Sequence, residues 1–247
     1  MKFAIVGGTN IETPPIAYRE EAVSTPYGDV ILYRGTLESG QEVVFLSRHG
    51  VLFKADPPDI NYRANVFALY KIGITHVIGV TSVGACDYSY KLGTLCLLGD
   101  FIDFTKSRPL SFDRQYRKNL HTGMEDVFNP LLIDTLEQLI AQRCIPYSGR
   151  AIYGCTEGPR FETAAEIRAL RMLGVQVTGM TIIPEAPLCR ALGLTYAAIG
   201  IISNHCTGMT GYVKDEDIGN VMSAIRQNVF ELCFDLVRQA EDAGTCG

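Results

Sequence analysis

Thr156-Glu157-Gly158-Pro159-Arg160-Phe161-Glu162-Thr163 lies between an apolar run, Arg150 to Cys155, and an amphipathic one, Ala164 to Leu173. The first run reads as a strand. The second reads as a helix with Ile167, Leu170 and Leu173 on one face. Gly158-Pro159 forces a turn between them. Two acids, an arginine and an aromatic therefore sit where a strand ends and a helix begins, the place where open α/β sheets bind ligands. A polar loop with a capping acid is the alternative reading of this stretch alone.

Outward from this stretch, apolar runs alternate with helical or glycine- and hydroxyl-rich segments. Phe3 to Val6 ends in Gly7-Gly8-Thr9-Asn10, whose glycines let backbone N–H groups approach an anion. The spacing is not that of a dinucleotide fingerprint, and Pro14-Pro15 follows where a helix would be needed. Val30 to Arg34 and Glu42 to Ser47 read as strands, the second ending in Ser47-Arg48-His49-Gly50. Arginine offers a planar fork for a phosphate, and histidine can donate or carry charge. Thr75 to Thr81 is an apolar strand ending in Ser82-Val83-Gly84, with His76 at its far end as a structural histidine. Gly93 to Gly99 is a further strand, and 106–126 a long polar loop carrying His121. Helices are expected over 60–69, Pro130 to Arg143, Ala186 to Leu192 and Asp217 to Ala240. Strands are expected over Val175 to Thr178 and Leu194 to Ile202, the latter followed by Ser203-Asn204-His205-Cys206. The pattern is that of a single α/β domain over 1–247, a mixed, mostly parallel sheet flanked by helices.

The 247 residues, 47% hydrophobic and 20% charged, suffice for one large core. A net charge of −5 with no basic run argues against nucleic acid. No apolar run approaches the roughly 20 residues that span a bilayer, and the N-terminal apolar run is too short for a signal peptide. The expected location is cytoplasmic. The eight cysteines form no CxxC pair and no zinc spacing, so no metal is expected.

Gly7-Gly8-Thr9, Ser47 to Gly50, Asn61-Tyr62-Arg63-Ala64-Asn65, Glu157 to Thr163 and Gly179-Met180-Thr181 through Pro184-Glu185 appear in that order. Together they resemble the trimeric purine nucleoside phosphorylase family, and most nearly its methylthioadenosine/methylthioinosine phosphorylase branch. The resemblance runs from Met1 to about Asn204 and is looser in the final helix. It implies a pentosyltransferase: phosphate attacks the anomeric carbon of a purine nucleoside through an oxocarbenium-like transition state and the purine leaves. Inorganic phosphate is then a co-substrate, no cofactor is needed, and a homotrimer is expected. Carried over, Thr9, Arg48, His49, Thr81 and Thr181 bind phosphate, with a backbone contact from Ser82. Met180 lies against the ribose, and Phe161 packs on the purine. His121 matches a histidine lent by a neighbouring subunit to the 5′ end of the site.

Asn204 stands where the family has aspartate for 6-aminopurines and asparagine for 6-oxopurines. An amide donates to O6 and accepts from N7–H, whereas a carboxylate only accepts. The resemblance therefore implies a 6-oxopurine nucleoside, either 5′-methylthioinosine or inosine/guanosine. Cys206, in place of a second aspartate, points the same way. An Asp215 facing the site would favour a 5′-hydroxyl over 5′-methylthio. Asn10, the Gly84 to Tyr88 loop and Phe53-Lys54, where a second phosphate-site histidine is common, depart from the family pattern. Those departures keep a non-catalytic nucleoside-binding protein as an alternative, beside an S-methyl-5′-thioadenosine phosphorylase.

Overall fold

The apolar runs at 3–6, 42–47, 75–81 and 194–202 become four neighbouring strands, β1 (Phe3–Gly7), β4 (Glu42–Ser47), β5 (His76–Ala85) and β9 (Thr195–His205). They lie side by side in the order β4-β1-β5-β9, all parallel, so their carboxyl ends open on one edge. Every residue of β1 is buried, which explains a continuous apolar run without alternation. The computed structural model describes residues 1–8, 10–11, 13–50, 55–117, 119–212 and 214–242. Thr9, Phe53 and Lys54 lie outside the described residues.

On one side the sheet extends antiparallel through β3 (Gly28–Thr36) to β2 (Tyr18–Thr25). β2 is absent from the sequence reading for a physical reason. Only Val23 of its eight residues is buried, so an edge strand of this kind carries no apolar period.

On the other side the sheet closes on itself. β8 (Val177–Gly179), β7 (Tyr147–Cys155) and β6 (Leu95–Asp103) continue from β5, and β6 then pairs with β9, which already pairs with β5. The β5–β8 and β6–β9 pairings are antiparallel; β6–β7 and β7–β8 are parallel. Register shifts at Val83/Gly84, Leu95/Leu97 and Leu98/Asp100 supply the local bends that closure requires. The sequence reading expects helix-flanked strands but not this ring.

Five helices cover the strands among the described residues: α1 (Tyr62–Lys71), α2 (Pro130–Gln142), α3 (Ala164–Met172), α4 (Ile182–Leu192) and α5 (Asp215–Asp242). α1 packs on α4, and α5 lies over β9 and α2. α2 starts at Asn129, whose side chain accepts from Leu132 N, with Pro130 in its first turn. It buries Leu132, Ile133, Leu136, Leu139 and Ile140. α3 starts in a capping box between Thr163 and Glu166, which Arg160 reinforces with two bonds of 2.8 Å to Glu166. No helix of the described residues is long and apolar enough to cross a membrane.

Two strand ends differ from the sequence reading. β5 runs on through Ser82 to Ala85, and β9 through Ser203, Asn204 and His205, because each pairs with the other past the Val83/Gly84 shift. Asn204 is therefore a strand residue opposite Gly84, held by a ladder rather than by a loop. His76 lies at the opposite end of β5, against Thr75 Oγ1 (2.8 Å) and the Phe3 ring (4.9 Å between centroids), as a structural histidine should.

Candidate active site

The edge formed by the carboxyl ends of β1, β4, β5 and β9 opens into a cleft of about 460 Å³. Gly8, Arg48, His49, Thr81, Ser82, Met180 and Thr181 line one part of it. Phe161, Glu162, Asn204 and Cys206 line it as well, and Asp215 and Ile218 reach it from the start of α5. Of the site residues implied by the resemblance, every described one except His121 lines this cleft. Thr9 lies outside the described residues. His121 is exposed and does not line the cleft. Its neighbours Asn119, Thr122 and Gly123 border Thr195, at the opposite end of β9 from Asn204.

Arg48 is buried with its guanidinium almost fully committed. Nε and Nη2 donate to the two carboxylate oxygens of Glu185 at 2.7 and 2.9 Å. Nη1 donates to the Val80 carbonyl at 2.8 Å and Nη2 to that of Val6 at 3.2 Å. Burial alone would push Arg48 toward neutrality, but the Glu185 carboxylate raises its pKa instead. Tyr196 completes the network by donating to Glu185 at 2.6 Å. The sequence reading quoted Pro184-Glu185 without giving the acid a role. Its partner lies 137 residues away, and no local pattern marks such a pair.

His49 lies beside this pair. Its Nδ1 lies 2.8 Å from the Ala55 carbonyl, which fixes that nitrogen as the donor. Burial, with a smaller effect from Arg48, lowers its pKa to about 4, so the ring is neutral at pH 7. The sequence reading left open whether this histidine carries charge; the fold keeps it uncharged. Thr81 and Thr181 face each other, with hydroxyls 3.1 Å apart. Asn10, a departure from the family pattern, takes a left-handed conformation (φ 61°) and donates to Gly219 O (3.0 Å) and Ser223 Oγ (3.1 Å) of α5.

Farther along the cleft, hydroxyls orient an amide. Ser82 Oγ and Ser203 Oγ are 2.6 Å apart, and Ser203 Oγ donates to Asn204 Oδ1 at 2.9 Å. Asn204 Nδ2 donates to the His205 carbonyl at 3.1 Å. Each amide atom keeps further capacity for a ligand. Glu162 is buried and accepts from Thr156 Oγ1 (2.5 Å) and Thr178 Oγ1 (3.2 Å). Both bonds fall on Oε1, so Oε2 is the oxygen left for a ligand. Sequence reasoning placed Glu162 in the decisive loop but assigned it no function. Phe161 is 39% exposed, leaving a ring available at the cleft wall. Cys206 Sγ sits 3.4 Å from Cys86 Sγ. Among the described residues no three His, Cys, Asp or Glu side chains gather as a metal site would need.

The arrangement offers hydroxyl, imidazole and guanidinium groups for an anion, an aromatic wall, and an amide with a carboxylate for a heterocycle. Comparison with known proteins agrees with that chemistry. The family model described as the phosphorylase superfamily matches residues 2–238. The 6-oxopurine nucleoside phosphorylase of Pyrococcus furiosus is 37% identical over 254 aligned positions, covering 100% of this chain and 96% of that protein. A probable S-methyl-5′-thioinosine phosphorylase of Methanosarcina acetivorans is 32% identical, covering 99% of this chain and 93% of that protein. Among solved structures, methylthioadenosine phosphorylase from Schistosoma mansoni in complex with tubercidin superposes with a TM-score of 0.87 at 25% identity. That match covers 98% of this chain and 92% of the other. A methylthioadenosine phosphorylase from an Antarctic soil metagenomic library superposes at 0.88 with 28% identity, covering 98% and 86%. With a match over nearly its whole length, the chain belongs to the phosphorylase superfamily.

Proposed function

We propose that the protein is a pentosyltransferase that cleaves 6-oxopurine nucleosides with inorganic phosphate, releasing the base and a ribose 1-phosphate. The observation that carries this reading is the presence of Asn204 and Glu162 in the same cleft as Arg48, His49, Thr81 and Thr181. A 6-oxopurine presents an acceptor at O6 and a donor at N1–H. Asn204 Nδ2 suits the first and Glu162 Oε2 the second. A 6-aminopurine has a bare acceptor at N1, which would face a carboxylate and cost about 1–3 kcal/mol. That mismatch, with Asn204, disfavours the S-methyl-5′-thioadenosine reading.

In the reaction a phosphate oxygen bonds to the anomeric carbon as the bond from that carbon to the purine N9 breaks. The electron pair passes into the purine, and N7 takes a proton from solvent. Asn204 Oδ1 accepts from that N7–H, stabilising the leaving group as charge develops. Arg48, His49, Thr81, Thr181 and the Ser82 backbone hold the phosphate, with Thr9 completing the set. Because Glu185 already offsets the charge of Arg48, the phosphate meets directed donors more than a free cation. Met180 backs the ribose and Phe161 the purine face. Asp215 lines the cleft and can accept from a 5′-hydroxyl, which favours inosine or guanosine over 5′-methylthioinosine. The reading includes a cytoplasmic homotrimer in which His121 of one subunit reaches the 5′ end of the next. No cofactor takes part.

One panel tests it: inosine, guanosine, adenosine, 5′-methylthioinosine and 5′-methylthioadenosine, each with and without phosphate, monitored by release of base. Phosphate-dependent cleavage of inosine and guanosine, with adenosine poor, is expected. Faster cleavage of the two adenine nucleosides would overturn the base assignment. Binding without turnover would establish the non-catalytic alternative.

A further inference from the structure

Arg108 belongs to the polar stretch after β6 and does not line the cleft. Its side chain is nonetheless fully shielded from solvent. Nη1 donates to the carbonyls of Met180 (2.6 Å) and Ile183 (2.7 Å) and also contacts the Tyr62 hydroxyl at 3.2 Å. Nη2 donates to the carbonyls of Glu157 (2.5 Å) and Thr156 (3.4 Å). Nε has no hydrogen-bond partner among the described residues and faces Glu157 Oε1 at 3.8 Å. The guanidinium carbon lies 5.5 Å from the centre of the Tyr62 ring. Glu157 ties the same stretch down by accepting from Lys106 N (2.6 Å) and Ser107 Oγ (3.0 Å).

The four carbonyls come from two chain segments that supply opposite functions. Residues 156–162 carry Phe161 and Glu162 to the base; residues 180–183 carry Met180 and Thr181 to the sugar and anion. One backbone bond, Thr156 N to Gly179 O at 2.9 Å, joins the segments where β7 and β8 end. Beyond that point the ladder stops, and Arg108 takes over as the bridge. A planar guanidinium can hold carbonyls on two sides at fixed separation, which the point charge of an ammonium cannot.

We infer that Arg108 is a positioning residue for the proposed phosphorolysis, fixing the base-binding wall against the sugar- and phosphate-binding wall through their main-chain carbonyls. The inference rests on the phosphorylase reading but concerns a residue that touches neither substrate. A displacement of about 1 Å between reacting groups can cost up to about a hundredfold in rate. Loss of Arg108 therefore acts on turnover more than on the affinity of either substrate alone.

The test uses the whole chain with Arg108→Lys and Arg108→Ala, assayed on inosine and phosphate, with unfolding midpoints measured beside the kinetics. Arg108→Lys should lower kcat by about tenfold or more while the KM for inosine and for phosphate shifts by less than about threefold. Arg108→Ala should lose more, and guanidinium chloride, well below its denaturing concentration, should restore part of kcat where potassium chloride does not. A merely structural arginine predicts a fall in unfolding midpoint with no such recovery. Wild-type kcat in Arg108→Lys, or loss in Arg108→Ala that guanidinium fails to relieve, would overturn the inference. Absence of phosphate-dependent cleavage in the unsubstituted protein would instead count against the phosphorylase reading itself, and this inference would fall with it.

Discussion

In the proposed reaction Asn204 separates two substrate classes by one atom. Its amide nitrogen can donate to a 6-oxo group, and the carboxylate of Asn204→Asp cannot. Two acceptors in contact cost about 1–3 kcal/mol. The ratio of kcat/KM for inosine to that for adenosine should therefore fall about tenfold or more in Asn204→Asp; an unchanged ratio would remove Asn204 from base recognition. His49 sets a pH dependence of a different kind. Its pKa falls from 6.5 in the unfolded chain to about 4 when burial excludes its charge. The unfolded chain thus takes up a proton that the folded one refuses. The stabilisation is complete above pH 6.5 and is lost as pH falls from 6.5 toward 4, by about 3 kcal/mol at 1.36 kcal/mol per unit. Urea unfolding of wild type at pH 7 and pH 4.5 should show that loss, and His49→Gln should show a shallower one. Equal slopes for the two proteins would mean that other groups dominate the acid limb.

β5 shows how a strand serves a site at its end. Gly79 sits in its middle, where a Cβ would lie 2.0 Å from the Tyr196 hydroxyl and 3.1 Å from Glu185 Oε1. The missing side chain makes room for the hydroxyl that steadies Glu185, and Glu185 in turn holds Arg48. Gly79→Ala should cost about 3 kcal/mol through overpacking and a lost buried hydrogen bond, read as a shift in urea midpoint at constant slope. Adding Tyr196→Phe, which removes the hydroxyl, should make the Gly79→Ala substitution cheaper; strict additivity would refute the steric link. Gly158 answers a similar need in the 156–163 turn. Its φ of +68° and the Met180 Sδ, 2.7 Å from where a Cβ would stand, both call for glycine. This turn could be located in the sequence because Gly158-Pro159 and the amphipathic run from Ala164 are local signals. β2 could not, since an exposed edge strand leaves no apolar trace.

At the level of the assembly, the exposed His121 has no part in its own cleft, so its proposed role requires a second subunit. Light scattering at micromolar concentration should give three times the 27.1 kDa chain mass. His121→Ala should lower kcat/KM by about tenfold without dissociating the trimer, in line with one lost hydrogen bond to a charged or polar group. A monomer with full activity would dispose of both expectations. Within the subunit, short-range order was written in the residues themselves: the apolar runs of β1, β4, β5 and β9, the helices α2, α3 and α5, and the motifs that end those strands. Arg48 and His49 stand just past β4, and parallel strands bring such ends to one edge; Thr81, Phe161, Met180, Thr181 and Asn204 are singled out through the family resemblance, and the fold brings them to the same cleft. Closure of β5-β8-β7-β6-β9 into a ring, the Arg48–Glu185–Tyr196 network and the Arg108 bridge could not be read that way. They join groups tens to more than a hundred residues apart, and whether such groups meet depends on strand bends and register, which no local spacing encodes.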